Sequence, residues 1–228
     1  MEYEERIPND TRTRIYLQPI AAPSILGLYG FAGATFMVAA NMAHWYGSAY
    51  SGLYLFPFAA IFGGLAQFLA GMWAFKARDG LATAIHGMWG SFWMAYGILM
   101  IIFAVGKIPP SMAAQEEGFW FIVLAAITWV GAVCARAENN GLLTVLAFLA
   151  ACSTAAAFGD LAGSEWVMIL AGWLLIISAI AAWYTASAMM LNDKFGREVW
   201  RIGKAQHAKL RPPLSIGTGE TGVIKGQA

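Results

Sequence analysis

Every charged side chain in this sequence lies outside six long apolar stretches. The chain has 228 residues, and its 14 Lys and Arg and 13 Asp and Glu residues all fall between or beyond those stretches. A helix that crosses a bilayer needs about 20 predominantly apolar residues, with a range of about 17–25. The sequence therefore predicts an all-α integral membrane protein with six spans at 24–46, 51–75, 81–105, 119–135, 141–159 and 166–191.

Positive charge is distributed unevenly between the two sides that six spans would create. Of the 14 Lys and Arg residues, only Lys107 lies on the side opposite the two termini. Cytoplasmic segments carry the excess of Lys and Arg, so both termini are predicted to be cytoplasmic, in a plasma membrane or a bacterial inner membrane. We expect a cytoplasmic segment (1–23), a transmembrane domain (24–191), an amphipathic juxtamembrane segment (192–203) and a disordered tail (204–228).

The composition of the spans excludes most chemistry that a membrane protein performs. His44 and His86 titrate near neutral pH, but the helical rise places them at depths of about 30 Å and about 8 Å from the inner face. They cannot share a metal ion, and no span contains a carboxylate, so no metal, cofactor, catalytic residue or enzymatic activity is expected. A net charge of +1 without a basic stripe argues against a nucleic-acid partner. The function class that these exclusions leave open is a pathway for a small solute.

Five short motifs occur in order along the chain. They are PSILGLYGF at 23–31, FGGLAQ at 62–67, GSFW at 90–93, AGW at 171–173 and LNDKFGR at 191–197. Together they resemble the signatures of the acetate uptake transporter family, which includes the bacterial YaaH and SatP proteins and the fungal acetate permeases. The resemblance covers roughly residues 22–203.

This resemblance implies a six-helix protomer, assembled in the lipid bilayer as a homo-hexamer, with a path for acetate in each protomer. Some members of the family also carry succinate, and protons are coupled to or accompany transport. The family narrows its path with a Phe, a Leu and a Tyr, which match Phe31, Leu149 and, in place of the Tyr, Trp89. The family's first motif, Asn-Pro-Ala-Pro-Leu-Gly-Leu, is changed here at Ala22 and Ile25, which leaves the preferred carboxylate open.

Helix geometry gives an independent argument for a constriction. Phe31, Trp89 and Leu149 each lie seven or eight residues into spans that run in the same direction, so all three lie about 10–12 Å from the inner end. Gln67, on the descending span 2, falls near the same depth. A ring of large apolar side chains beside one amide is suited to a hydrophobic gate. The alternative interpretation is that these side chains only pack.

Candidate residues for binding the carboxylate lie near the inner end of span 1. The unpaired backbone N–H groups of the first helical turn, near Pro23, Ser24 and Leu26, attract an anion together with the helix dipole. The first motif adds Gly27 to this set. Gln67 either binds the carboxylate through its amide N–H groups or forms an interhelical hydrogen bond, and the sequence leaves both interpretations open.

His86 lies one helical turn before Trp89, on the inner side of the expected gate. It either accepts a proton delivered with the acid or stays neutral and hydrogen-bonded. The sequence therefore predicts a membrane transporter or channel for acetate and similar short monocarboxylates, linked to protons. A passive pore for neutral solutes such as urea, ammonia or undissociated acid is the alternative.

Overall fold

The protein is described here by a computed structural model that covers residues 20–48 and 50–203. Six helices in this part of the chain are long and apolar enough to cross a membrane, which confirms the predicted all-α architecture. Their bounds are Pro23–Met42 (span 1), Ser51–Ala77 (span 2), Gly80–Gly106 (span 3), Ser111–Ala135 (span 4), Asn140–Ala162 (span 5) and Glu165–Phe195 (span 6). We call the end of the bundle where span 1 begins the inner end, and the opposite end the outer end.

Spans 1 and 6 end at different residues from their apolar stretches. Span 1 ends at Met42 because the chain turns at Ala43 and His44, and His44 has a φ of 60°. Span 6 continues to Phe195, where Gly196 with a φ of 63° ends the helix in the left-handed region that glycine adopts easily. The expected N-terminal segment up to residue 19 and the expected tail at 204–228 lie outside the described residues.

The chain after span 6 returns along the inner end of the bundle without forming a helix. Asn192 holds this segment through its side chain, which accepts from the backbone N of Trp200 at 3.0 Å. The carbonyl oxygens of Ile202 and Gly203 accept from the first backbone N–H groups of span 5, at 3.1 Å from Gly141 and 3.0 Å from Asn140. The segment predicted as juxtamembrane therefore caps span 5 with its backbone.

Span 2 changes its helical geometry in the middle. It is α-helical over Ser51–Phe58, π-helical over Ala59–Ala66 and α-helical again over Gln67–Ala77. Pro57 lacks a backbone N–H and disturbs the hydrogen-bond ladder at the start of the π-helical segment. Gln67 is the first residue after that segment, and its side chain points into the bundle with 1% exposure.

Glycines allow spans 1, 2 and 3 to approach closely. A Cβ on Gly30 of span 1 would lie 2.5 Å from the carbonyl oxygen of Phe62, and a Cβ on Gly71 of span 2 would lie 2.7 Å from the backbone N of Gly87. Small residues at helix contacts are typical of membrane bundles, where backbone packing holds helices together. These glycine faces thus form contacts within the protomer.

Candidate solute pathway

A narrow cavity lies inside the bundle among spans 1, 2, 3 and 5. Its volume is about 30 Å³. One water needs roughly 10–15 Å³, so the cavity has room for about two waters or one very small solute. We call it the inner cavity. The sequence-predicted site residues that line it are Ser24, Phe31, Gln67, His86 and Leu149.

Two polar side chains in the wall of the inner cavity are buried without a complete set of partners. Gln67 is 1% exposed and His86 is 3% exposed. Among the described residues, neither Oε1 of Gln67 nor Nδ1 of His86 has a hydrogen-bond partner. A buried polar group without a partner costs about 1–3 kcal/mol. A small polar solute that bonds to these atoms would recover part of that cost.

Gly27 positions His86 by leaving space for it. A Cβ built on Gly27 would lie 2.5 Å from both Nδ1 and Cε1 of the His86 imidazole. The imidazole therefore packs directly on the backbone of span 1. Gly27 is absent from the wall of the inner cavity, and its contact is with His86.

We expect the substitution Gly27→Ala to destabilise the protein by about 1–3 kcal/mol, because the added methyl group must displace a buried ring. The double variant Gly27→Ala/His86→Ala should recover most of the loss, since the smaller side chain leaves the methyl group room. Thermal unfolding of the four proteins in detergent measures both effects. Additive losses in the double variant would show that the two residues do not compete for the same space.

The three residues of the expected constriction are all buried. Phe31, Trp89 and Leu149 are 3%, 2% and 1% exposed and belong to one hydrophobic cluster. The rings of Phe31 and Trp89 meet edge to face, with centroids 6.4 Å apart and planes at 71°. Phe31 and Leu149 line the inner cavity, whereas Trp89 lies behind Phe31 and does not line it.

A second space opens in the outer half of the bundle. This outer groove lies between spans 3 and 4 and has a volume of about 360 Å³. Its walls include Phe92 and Phe121, with Glu117 among the lining residues. The Phe92 ring contacts the Trp89 ring at a centroid distance of 5.3 Å. Trp89 therefore lies between a ring of the inner cavity, Phe31, and a ring of the outer groove, Phe92.

The inner end carries a wider vestibule of about 720 Å³. It is lined by Ala22 and Ile25, the two positions at which the first motif departs from the family pattern, and by Arg197. Those departures therefore affect the mouth of the pathway and not the inner cavity. Pro23 and Leu26, which were predicted to bind substrate, line neither space, and Leu26 is 48% exposed.

Two carboxyl groups that the sequence analysis did not select also line the inner cavity. Asp79 caps span 3, where its Oδ1 accepts from the backbone N of Ala82 at 2.9 Å. Glu138 lines both the inner cavity and the vestibule. Carboxylates at this position repel a carboxylate anion. Within residues 20–48 and 50–203, no group of three His, Cys, Asp or Glu side chains could hold a metal ion.

Comparison with known proteins identifies the family. The profile of the GPR1/FUN34/yaaH family matches residues 8–196. The chain belongs to the GPR1/FUN34/yaaH family. Within this family, it is similar to the succinate-acetate/proton symporter SatP of Escherichia coli K12, with 26% identity over 186 residues. The match covers 82% of this chain and 97% of that relative.

The family also has a solved structure that this fold resembles. The structure of the bacterial acetate channel SatP matches with a TM-score of 0.75 and 26% identity, over 81% of this chain and 100% of that one. A further relative, ammonia transport outward protein 2 of Saccharomyces cerevisiae, is 27% identical over 172 residues, which are 74% of this chain and 61% of the yeast protein. The family predicted from the five motifs is confirmed, and the chain is a multi-pass membrane protein.

Proposed function

We propose that the chain is a transporter or channel for acetate and similar short monocarboxylates, with no enzymatic activity. The observation that carries this proposal is the position of Trp89 between the inner cavity and the outer groove, in contact with Phe31 and Phe92. The names of the relatives, a succinate-acetate/proton symporter and an acetate channel, supply the substrate class.

The pathway selects its solute by size and then by polarity. A carboxylate that enters the vestibule meets the N-terminal end of span 1, where backbone N–H groups attract anions. It then reaches the inner cavity, where the Gln67 amide supplies N–H donors beside Ser24. Beyond it, Phe31, Trp89 and Leu149 act as a hydrophobic constriction that passes a solute only after most of its water is removed.

His86 gives the pathway a means to carry a proton with the acid. Its imidazole lines the inner cavity, and its Nδ1 has no hydrogen-bond partner among the described residues, so that nitrogen is available to a proton. Asp79 and Glu138 line the same cavity and favour a neutral over an anionic solute. In this account His86 accepts the proton of the acid on the inner side of the constriction.

Uptake of labelled acetate into proteoliposomes, with and without a pH gradient, tests the proposal. Accumulation of acetate that the gradient drives supports passage together with a proton, equilibration alone supports passage of the anion without a proton, and an absence of flux contradicts both. We expect His86→Gln to abolish accumulation while equilibration stays within about twofold of the unmodified protein, because the amide keeps the polarity but cannot take the proton. Unchanged accumulation would rule out a proton role for His86.

A passive pathway for ammonia is the second candidate, and the match to a yeast protein named for outward ammonia transport favours it. Ammonia is small enough for the inner cavity and can accept a hydrogen bond from the Gln67 amide. Alkalinisation of the liposome interior after addition of ammonium would reveal this flux. If acetate does not compete with it, the two solutes use different routes.

We also propose that the protomers assemble as a homo-hexamer and that the inner end faces the cytoplasm. Native mass spectrometry of the purified protein tests the assembly, and protease accessibility of the terminal segments in oriented vesicles tests the orientation.

A further inference from the structure

Trp89 makes one hydrogen bond, to a residue of another span. Its indole Nε1 donates to Oγ1 of Thr128 in span 4 at 3.0 Å. Both side chains are buried, at 2% and 0% exposure. An indole N–H can only donate, so a buried indole is satisfied only where an acceptor lies beside it. Thr128 supplies that acceptor.

Thr128 is held so that its oxygen faces Trp89. Its hydroxyl donates to the carbonyl oxygen of Leu124, one turn earlier in span 4, at 2.6 Å. A hydroxyl has one proton, and with that proton committed to Leu124 the oxygen is left as an acceptor. The direction of both hydrogen bonds is thus fixed, and the Trp89 ring is tied to the backbone of span 4.

We propose that Thr128 is a positioning residue that fixes the orientation of the Trp89 indole and so sets the largest carboxylate that passes the constriction. Three contacts orient the ring: Thr128 binds its N–H edge, Phe31 packs on it from span 1, and Phe92 packs on it from the following turn of span 3. The two ring contacts are apolar and allow the indole to slide or rotate. The hydrogen bond to Thr128 is directional and prevents this motion. This inference rests on the proposed function.

Trp93 is a buried tryptophan that lacks a hydrogen-bond acceptor of this kind. It lies one turn after Trp89 and is equally buried, at 2% exposure, yet its Nε1 has no hydrogen-bond partner among the described residues. Burial alone therefore does not orient an indole N–H in this bundle. At Trp89, the hydrogen bond to Thr128 supplies that orientation.

The chain offers a matched control on the exposed surface of the protomer. Trp129 donates from Nε1 to Oγ1 of Thr154 at 3.2 Å, and the Thr154 hydroxyl donates to the carbonyl oxygen of Ala150, one turn earlier, at 2.8 Å. This is the same pair of bonds as at Trp89, but Trp129 is 46% exposed. Thr154→Val removes the same kind of bond far from the constriction.

The test compares the uptake of acetate, propionate and butyrate in proteoliposomes. In Thr128→Val, which keeps the shape and removes the acceptor, we expect the ratio of butyrate to acetate flux to rise about fivefold, the factor expected for one lost hydrogen bond. Thr128→Ser keeps the hydroxyl and should keep the original ratio, as should Thr154→Val. An unchanged ratio in a folded Thr128→Val protein overturns the proposal, and so does an equal rise in Thr154→Val.

Two further measurements test the proposal if Thr128→Val does not fold or if no acetate transport is seen. If Thr128→Val does not fold, Thr128→Cys replaces it, because a thiol is a weak acceptor of similar size. A raised ratio of butyrate to acetate flux in this variant supports the proposal, and an unchanged ratio overturns it. The indole N–H resonance of Trp89 in ¹⁵N-labelled protein, assigned with Trp89→Phe, should shift in Thr128→Val and stay in place in Thr154→Val. If the unmodified protein carries no acetate, the proposed function fails, while this resonance still tests the bond.

Discussion

The variant Trp89→Ala should carry butyrate at a rate at least about tenfold higher, relative to acetate, than the unmodified protein does. The substitution removes the ring that contacts both Phe31 of the inner cavity and Phe92 of the outer groove, so we expect larger acids to gain a path. Each methylene that an apolar site can exclude is worth roughly 1–3 kcal/mol of discrimination, which supports an effect of this size. Competition between labelled acetate and unlabelled acids of increasing length measures the size limit.

The control for this variant is Trp129→Ala. Trp129 is also a hydrogen-bonded tryptophan, but it lies on the exposed surface of the protomer, with 46% exposure. Its removal should leave the size limit unchanged. If Trp89→Ala expresses normally and still excludes butyrate, Trp89 is a packing residue and the constriction lies elsewhere.

The second large effect concerns Gln67, whose replacement by leucine should lower the affinity for acetate without lowering the free energy of unfolding. Gln67→Leu should weaken saturable acetate binding about tenfold, because a hydrogen bond to a charged acceptor contributes roughly 1.5–3 kcal/mol. The free energy of unfolding should stay constant or rise by about 1 kcal/mol, since leucine removes a buried oxygen that has no partner. Acetate uptake kinetics and thermal unfolding measure the two quantities.

Thr35→Val is the matched control for Gln67→Leu. Oγ1 of Thr35 is also buried without a hydrogen-bond partner, at 0% exposure, but Thr35 does not line the inner cavity. We expect the same direction of change in stability and no change in acetate affinity. A Gln67→Leu protein that keeps its affinity but loses stability or falls apart into protomers would show that the amide has a structural role.

The sequence was sufficient to predict six spans because charge is excluded from each of them. It was less informative about where helices end or change geometry. Trp45 and Tyr46 continue the apolar stretch of span 1, but the chain has already turned at His44. The π-helical segment of span 2 has one sequence signal, Pro57, and hydropathy does not register it. Hydropathy reports burial in a membrane, not backbone geometry.

The depth of a side chain in the bilayer could be calculated from the sequence, but the side of its helix that faces the cavity could not. Counting residues placed Phe31 and Gln67 at one level, and both line the inner cavity. In a membrane helix all faces are apolar, so no periodicity separates Ser24, which lines the cavity, from Leu26, which is exposed. Thr128 was missed because one threonine in an apolar stretch has no signal until its partner indole is located.

The acidic residues of the pathway were missed for a different reason. Asp79 and Glu138 lie in the connections between the six apolar stretches, outside the spans in which site residues were expected. The helix N-cap role of an aspartate directly before a helical stretch was the available signal for Asp79. Because a capping residue lies at the end of its helix, it also faces any space that opens there.

The central claim is that solute passes through the interior of each protomer at the level of Leu149. The most direct test is the substitution Leu149→Cys in a background in which Cys134 and Cys152 are replaced by alanine, treated with methyl methanethiosulfonate. We expect modification to reduce acetate uptake at least about tenfold and acetate to slow the modification, because the thiol lines the narrow part of the path. Phe158→Cys, on the exposed side of the same span at 71% exposure, should react without loss of uptake. A Leu149→Cys protein that is fully modified and still carries acetate at its original rate would contradict the account.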